Sequence, residues 1–264
     1  MKLSISNIAW DKQHDEEMYD VLKHLEYNGI EIAPTRILDK PYEDLDRIKN
    51  WYKNINEKYG LSVPSMQSIL YGKTEKIFND KNDRDELISY TKKAIDFANA
   101  INCKNLVFGC PKNRNIDGVY NDEVNKIAVD FFNEIADYAK EKNTIIALEP
   151  NPTIYNTNFI NNTSDAISFV KKVNNDGFKL NIDFGTIIYN EENIKELEGN
   201  VKYINHLHIS EPNLQQIKKR DLHKDLKEIL EKENYANFIS IEMGKIDDIE
   251  IIKNIMSYVK EVFK

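Results

Sequence analysis

The chain has 264 residues, a formal net charge of −8 and a pI near 5.3. That acidic balance works against a nucleic-acid partner, because such proteins concentrate Lys and Arg on one face. Hydrophobic residues at 41% and charged ones at 30% are the mix of a globular domain with a sizeable core, which excludes a disordered chain.

In chain order, "MKLSISNIAW" (1–10) opens as a strand and passes directly into "DKQHDEEMYD", so it reads neither as a signal peptide nor as a membrane span. Further short apolar runs recur at intervals of about 30 residues. They are "GIEIAP" (29–34), "LSVPSMQSIL" (61–70), "NLVFGCP" (105–111), "TIIALEPNP" (144–152), "FKLNIDFG" (178–185), "YINHLHIS" (203–210) and "FISIEMG" (238–244). Between them lie segments of helical period. In "DEVNKIAVDFFNEIADYAKEK", for example, Val124, Ile127, Phe131, Ile135 and Tyr138 fall three and four apart. Eight strands alternating with helices imply parallel pairing through right-handed crossovers, and that number closes a (β/α)8 TIM barrel. The competing open, doubly wound sheet lacks its usual Gly-rich signature after the first strand. No linker divides the chain, so one domain spans 1–264. Cys103 and Cys110 form no CxxC pair and read as reduced thiols in a cytoplasmic protein.

In such a barrel, chemistry sits where strands end at their C-terminal edge. The fifth run ends on Glu149 and the sixth on Asp183, which shares a face with Asn181. The seventh carries His206 and His208 on one face, and the eighth ends on Glu242 beside Ser240. Any one of these carboxylates could merely cap the next helix. Three of them crowded at one mouth would repel each other unless a cation intervened. Oxygen-rich ligation with an imidazole suits a single divalent ion, Mn²⁺ above all, with Mg²⁺, Co²⁺ or Zn²⁺ as alternatives. Gln67 and Glu31 also point towards such a pocket, with Asn7, Asn151 and Trp10 behind them. The loop "EPNLQQIKKRDLHKDL" brings Lys218, Lys219, Arg220 and His223 near the mouth, where phosphate sites often lie, so a phosphorylated or carboxylated substrate is one expectation.

At "LEPNP" (148–152), "IDFG" (182–185), "HLHISEP" (206–212) and "SIEMG" (240–244), nearly the whole chain resembles the xylose isomerase-like superfamily of sugar isomerases and epimerases. The resemblance implies one divalent metal held by Glu149, Asp183, His208 and Glu242, with Glu149 and Glu242 also moving protons through an enediolate of an open-chain sugar. It makes His206 a neighbour or substrate contact, alongside Gln67, Asn151, Tyr155, Arg220, His223 and Glu31. Two positions depart from the ketose epimerase pattern. Thr186 stands where those enzymes have a histidine, and Tyr155 where they have a substrate-binding glutamate, so the sugar is left open. The remaining readings are an inosose dehydratase-like lyase, an endonuclease IV-like phosphodiesterase and a non-catalytic sugar-binding barrel. A small-molecule sugar is the expected partner. No nucleic acid or membrane is expected, and homo-oligomerisation is allowed but not signalled.

Overall fold

The computed structural model describes residues 1–118 and 120–264. Among them are seven strands: β1 (Lys2–Ser6), β2 (Gly29–Glu31), β3 (Leu106–Phe108), β4 (Ile146–Leu148), β5 (Phe178–Asp183), β6 (Ile204–Ile209) and β7 (Phe238–Ile241). All pair in parallel, in the order β2-β1-β7-β6-β5-β4-β3. The helices are α1 (Asp15–His24), α2 (Pro34–Ile37), α3 (Leu45–Tyr59), α4 (Lys81–Ala100), α5 (Asp122–Glu141), α6 (Thr163–Val173), α7 (Phe184–Tyr189), α8 (Leu222–Lys232) and α9 (Ile249–Phe263).

The expected eight continuous strands are therefore seven. The eighth position in the ring is taken by an irregular segment within "LSVPSM" (61–66). Its Pro64 has no N–H to donate, and the ladder breaks around it. What survives is a set of isolated bridges, Ser62 to Gly29 and Met66 to both Ile32 and Leu106. Ile30 donates to Ser62 O at 2.9 Å and Val107 to Met66 O at 2.8 Å, so the segment still joins β2 to β3 and the sheet closes on itself. The fold is a TIM barrel.

Alternation along the strands sorts the side chains. In β1, Leu3 and Ile5 pack outward against the helices while Ser4 and Ser6 turn inward. Outward residues and helix faces form one continuous hydrophobic layer, in which Phe108, Phe132, Phe169 and Phe178 meet mostly edge to face. The barrel interior differs from the aliphatic layers usual in this architecture. It is filled by Ser4, Glu31, Asn181, His206, His208 and Ser240, all buried.

A bulge sets which residues share that interior. β5 and β6 slip between Leu180 and Asn181, so that Leu180 pairs with Ile204 but Asn181 pairs with His206 and Asp183 with His208. The extra residue, Asn205, re-aims the rest of β6 and brings both histidines level with Asn181 and Asp183.

Gly29 is where the irregular segment presses closest. A Cβ there would meet Pro64 Cδ at 2.7 Å and the Ser62 carbonyl oxygen at 2.8 Å. Gly29→Ala is expected to lower stability by about 1–3 kcal/mol through this overpacking. Urea denaturation followed by circular dichroism checks it, and an unchanged midpoint would show that the closure tolerates a methyl group.

Candidate metal centre and active site

A cavity of about 560 Å³ opens at the C-terminal ends of the strands. On its floor stand Glu149, just after β4, Asp183, the last residue of β5, and Glu242, just after β7. His208 of β6 lies beneath them, fully buried. One ligand atom from each of these four residues falls within 4.8 Å of the others.

The imidazole of His208 organises the group. Its Nδ1 is 3.0 Å from Glu149 Oε1 and 3.0 Å from Glu242 Oε2. On the opposite side of the ring, Nε2 is 3.0 Å from Glu31 Oε2, which His206 Nε2 also approaches at 3.2 Å. His206 is in turn 2.9 Å from the Ser240 hydroxyl. Glu149 accepts from Asn181 Nδ2 at 2.7 Å and from Asn151 Nδ2 at 3.1 Å. Arg114, buried, donates to the Asn151 side chain at 2.7 Å and to the Glu149 carbonyl at 2.8 Å, bracing that wall. Asp183 does two jobs. One of its oxygens caps α7 by accepting from Thr186 N at 2.8 Å and Thr186 Oγ1 at 2.7 Å, and the other accepts from Ser210.

This crowding has an electrostatic cost. Burial, followed by the charge of Glu149, raises the Asp183 carboxyl. Burial pushes Glu242 up to about 7, with Glu149 and Asp183 adding to the shift and His208 opposing it. Burial alone would lower His208, but Glu242, Glu31 and Glu149 outweigh it and hold the ring well above its ordinary value. Glu31 feels the same balance in reverse: burial would raise it, and the two imidazoles hold it well below the carboxylate range. A cation is what the floor lacks by charge, since three carboxylates face a single ring nitrogen. Three hard oxygen donors and one imidazole fit a divalent metal. Glu31 would then accept a hydrogen bond from Nε2–H of His208, fixing the tautomer that leaves Nδ1 free to ligate, the usual arrangement behind a metal-bound histidine.

The model of the xylose isomerase-like TIM barrel family matches residues 19–262. The chain belongs to that family. No curated protein matches its sequence. Among solved structures it is similar to the apo form of 3-keto-D-glucoside 4-epimerase from E. coli, at 18% identity and a TM-score of 0.79, covering 99% of each chain. It is similar also to D-psicose 3-epimerase from Clostridium cellulolyticum H10, solved with D-tagatose, at 14% identity and a TM-score of 0.80 over 100% of each chain. A family 2 AP endonuclease from Brucella melitensis superposes with a TM-score of 0.73 at 17% identity, over 95% of this chain and 96% of that one. At such identities the likeness is one of fold.

Within this xylose isomerase-like barrel the sequence-derived site residues beyond the four candidate ligands divide into four groups. Gln67, Asn151 and Tyr155 line the cavity with the three carboxylates. Glu31 and His206, expected at the substrate, do not line the cavity: both are buried beneath it, where Glu31 Oε2 lies between the two imidazoles. Arg220 and His223 were expected there too and lie outside the cavity. Arg220 forks onto Glu211, with Nε to Oε1 at 2.8 Å and Nη2 to Oε2 at 2.5 Å. His223 is buried against Phe184, Tyr258 and Phe263. Asn7 and Trp10 are structural: Asn7 accepts from Ala33 N, and Trp10 donates to Asp15. Sequence reasoning missed Arg114, Ser210 and Glu211 as parts of the site. Ser210 and Glu211 continue the β6 run and could have been reached from its alternation. Arg114 sits in a short turn after β3, where no periodicity points to it.

Changing Glu31→Gln removes the charge that both imidazoles share. Affinity for Mn²⁺, measured by titration calorimetry, is expected to fall about 10- to 100-fold while circular dichroism shows a folded barrel. Unchanged affinity would make Glu31 a core residue only.

His223 generates a pH prediction. Burial lowers its pKa to about 4 from an ordinary 6.5, and its Nε2 has no partner. Tyr258, Glu211 and Arg220 are the polar groups around it. The unfolded chain binds the extra proton first, so this contribution to stability is complete above pH 6.5 and fades as pH falls towards 4. It is on the order of 3 kcal/mol. His223→Phe should flatten the loss of stability between pH 6.5 and 4 in urea titrations; parallel curves would refute it.

Proposed function

We propose that this protein is a divalent-metal-dependent sugar isomerase or epimerase that works through an enediolate of an open-chain sugar. The observation that carries this is the convergence of Glu149 and Glu242 on one face of His208, from strands on opposite flanks of β5 and β6. Glu149, Asp183, His208 and Glu242 would hold the metal, with Mn²⁺ as the natural choice for this donor set. Bound there, it supplies Lewis acidity that polarises a carbonyl and lowers the energy of the neighbouring carbanion.

The remaining chemistry belongs to side chains of this chain. Glu242, held 3.0 Å from His208 Nδ1, is suited by its position to take a proton from carbon and return it. Glu149 is held in place by Asn181 and Asn151 and addresses the substrate from the other flank. A proton removed by one glutamate and returned by the other inverts a stereocentre, whereas traffic on one face isomerises. Gln67 and Tyr155 supply hydrogen-bonding groups at the cavity wall. Such a protein would work in the cytoplasm, where Cys103 and Cys110, both free, stay reduced. The nuclease reading needs several mouth histidines. Among the described residues lining the cavity there are none.

Incubation with Mn²⁺ in D₂O against a panel of sugars should place deuterium next to a carbonyl, visible by NMR. Glu149→Gln and Glu242→Gln should each cut turnover by more than about 10²-fold, with a much smaller loss of metal affinity. Full activity of either variant at saturating Mn²⁺ would reduce that residue to a ligand. Exchange accompanied by loss of water would mark a dehydratase.

A further inference from the structure

Four large apolar side chains are exposed among the described residues, Tyr71, Tyr120, Tyr189 and Leu214, and two of them stand at the cavity mouth. Tyr71 is 71% exposed and comes after the irregular segment 61–66; Leu214 is 36% exposed and comes after β6. Counting that segment, the ring has eight positions, and it lies four from β6 in either direction. The loops that carry them therefore rise from opposite sides of the ring, and both side chains line the cavity.

Both are placed there by the backbone. Asn213 and Leu214 have φ of 59° and 53°, in the left-handed region that a leucine avoids. The strain is held by neighbours: the Tyr155 hydroxyl accepts from Asn213 N at 2.9 Å, Leu214 N donates to Glu211 O at 3.0 Å, and Gly244 N donates to Leu214 O at 2.7 Å. The outcome is an apolar side chain turned over the cavity instead of into the core. Strain of this kind is a pointer to function. Tyr71 rides a turn between Ser68 (φ 54°) and Gly72 (φ 84°), anchored where the Tyr42 hydroxyl donates to Ile69 O at 2.9 Å.

Charge and size narrow the occupant. Three carboxylates on the floor outweigh a divalent ion by one, which disfavours an anionic substrate. Lys73 is committed to Glu75 at 3.1 Å and Glu86 at 2.8 Å, Arg220 to Glu211, and Lys112 is exposed to solvent at the rim. The cavity falls in the range of about 300–1,000 Å³ that encloses drug-sized ligands, larger than a monosaccharide requires.

We propose that the mouth is a second subsite, which seats an uncharged sugar ring joined through a glycosidic bond to the reacting sugar, between Tyr71 and Leu214. It rests on the reading of the floor as a metal-dependent sugar site. Three probes test it: D-fructose, isomaltulose (a neutral disaccharide with glucose on O6 of fructose, away from the carbonyl) and D-fructose 6-phosphate. Binding to the Mn²⁺-loaded protein is measured by calorimetry, and proton exchange in D₂O separately. Isomaltulose should bind at least about tenfold tighter than fructose. Tyr71→Ala and Leu214→Ala should each erase most of that difference, with fructose binding and Mn²⁺ affinity unchanged. Equal binding of the two neutral sugars, or tighter binding of the phosphate, overturns the subsite. If no probe exchanges but isomaltulose binds in a Tyr71-dependent way, the enediolate reading falls and the subsite stands. If fructose exchanges and isomaltulose gains nothing, the subsite falls and the reading stands. Failure of every probe to bind overturns both.

Discussion

The imidazole of His208 carries carboxylates on both of its edges, and the centre of the barrel is arranged around that fact. Glu31 lies against Nε2, and Glu149 with Glu242 lies against Nδ1. Removing charges from water is costly, and buried carboxylates remain ionised only beside a compensating positive or hydrogen-bonding group. The interior therefore holds a connected polar network of Ser4, Ser240, His206, Glu31 and His208 in place of aliphatic layers. Driving force for folding shifts to the outer layer, where the strands' other faces meet the helices through tightly packed phenylalanines. A barrel built this way gives up stability along its axis and gains a polar floor whose donor atoms are already oriented.

The same economy of groups recurs at the edge of the floor. Asp183 is at once the cap of α7 and a member of the candidate ligand set, so the commonplace reading of a strand-end aspartate and the functional one are both true of it. Its Oδ2 accepts from both Thr186 N and Thr186 Oγ1, while Oδ1 accepts from Ser210 and keeps a second lone pair. Glu211 likewise has its charge cancelled by Arg220 while it lines the cavity. The effect is a site with fixed carboxylates and little rotamer freedom, the condition for electrostatic preorganisation.

Where local reading failed, the reason was pairing. Arg220 and His223 are near the mouth along the chain, and a basic loop after a barrel strand is a reasonable place to seek an anion site. Nothing local says that Arg220 is taken by Glu211 nine positions earlier, or that His223 sits on the inner face of α8 against α9. Pro64 was visible from the outset, yet its effect on the third apolar run depended on how closely Gly29 allows that segment to approach β2.

The amino-acid sequence by itself determined those features that depend on period and position alone. Apolar runs at regular spacing imply a parallel barrel, and the residue ending each run is presented at one mouth, which is why Glu149, Asp183 and Glu242 could be expected to stand together there. Family resemblance, not spacing, separated His208 from His206. Tertiary structure decided the depth and partners of those groups. The bulge at Asn205 sets both histidines level with Asn181 and Asp183, and closure of the ring carries Glu31 beneath them from a strand far away in sequence. Alternation says which face a side chain takes, but only the closed barrel, with its fixed stagger between strands, says which side chains from distant runs share a layer.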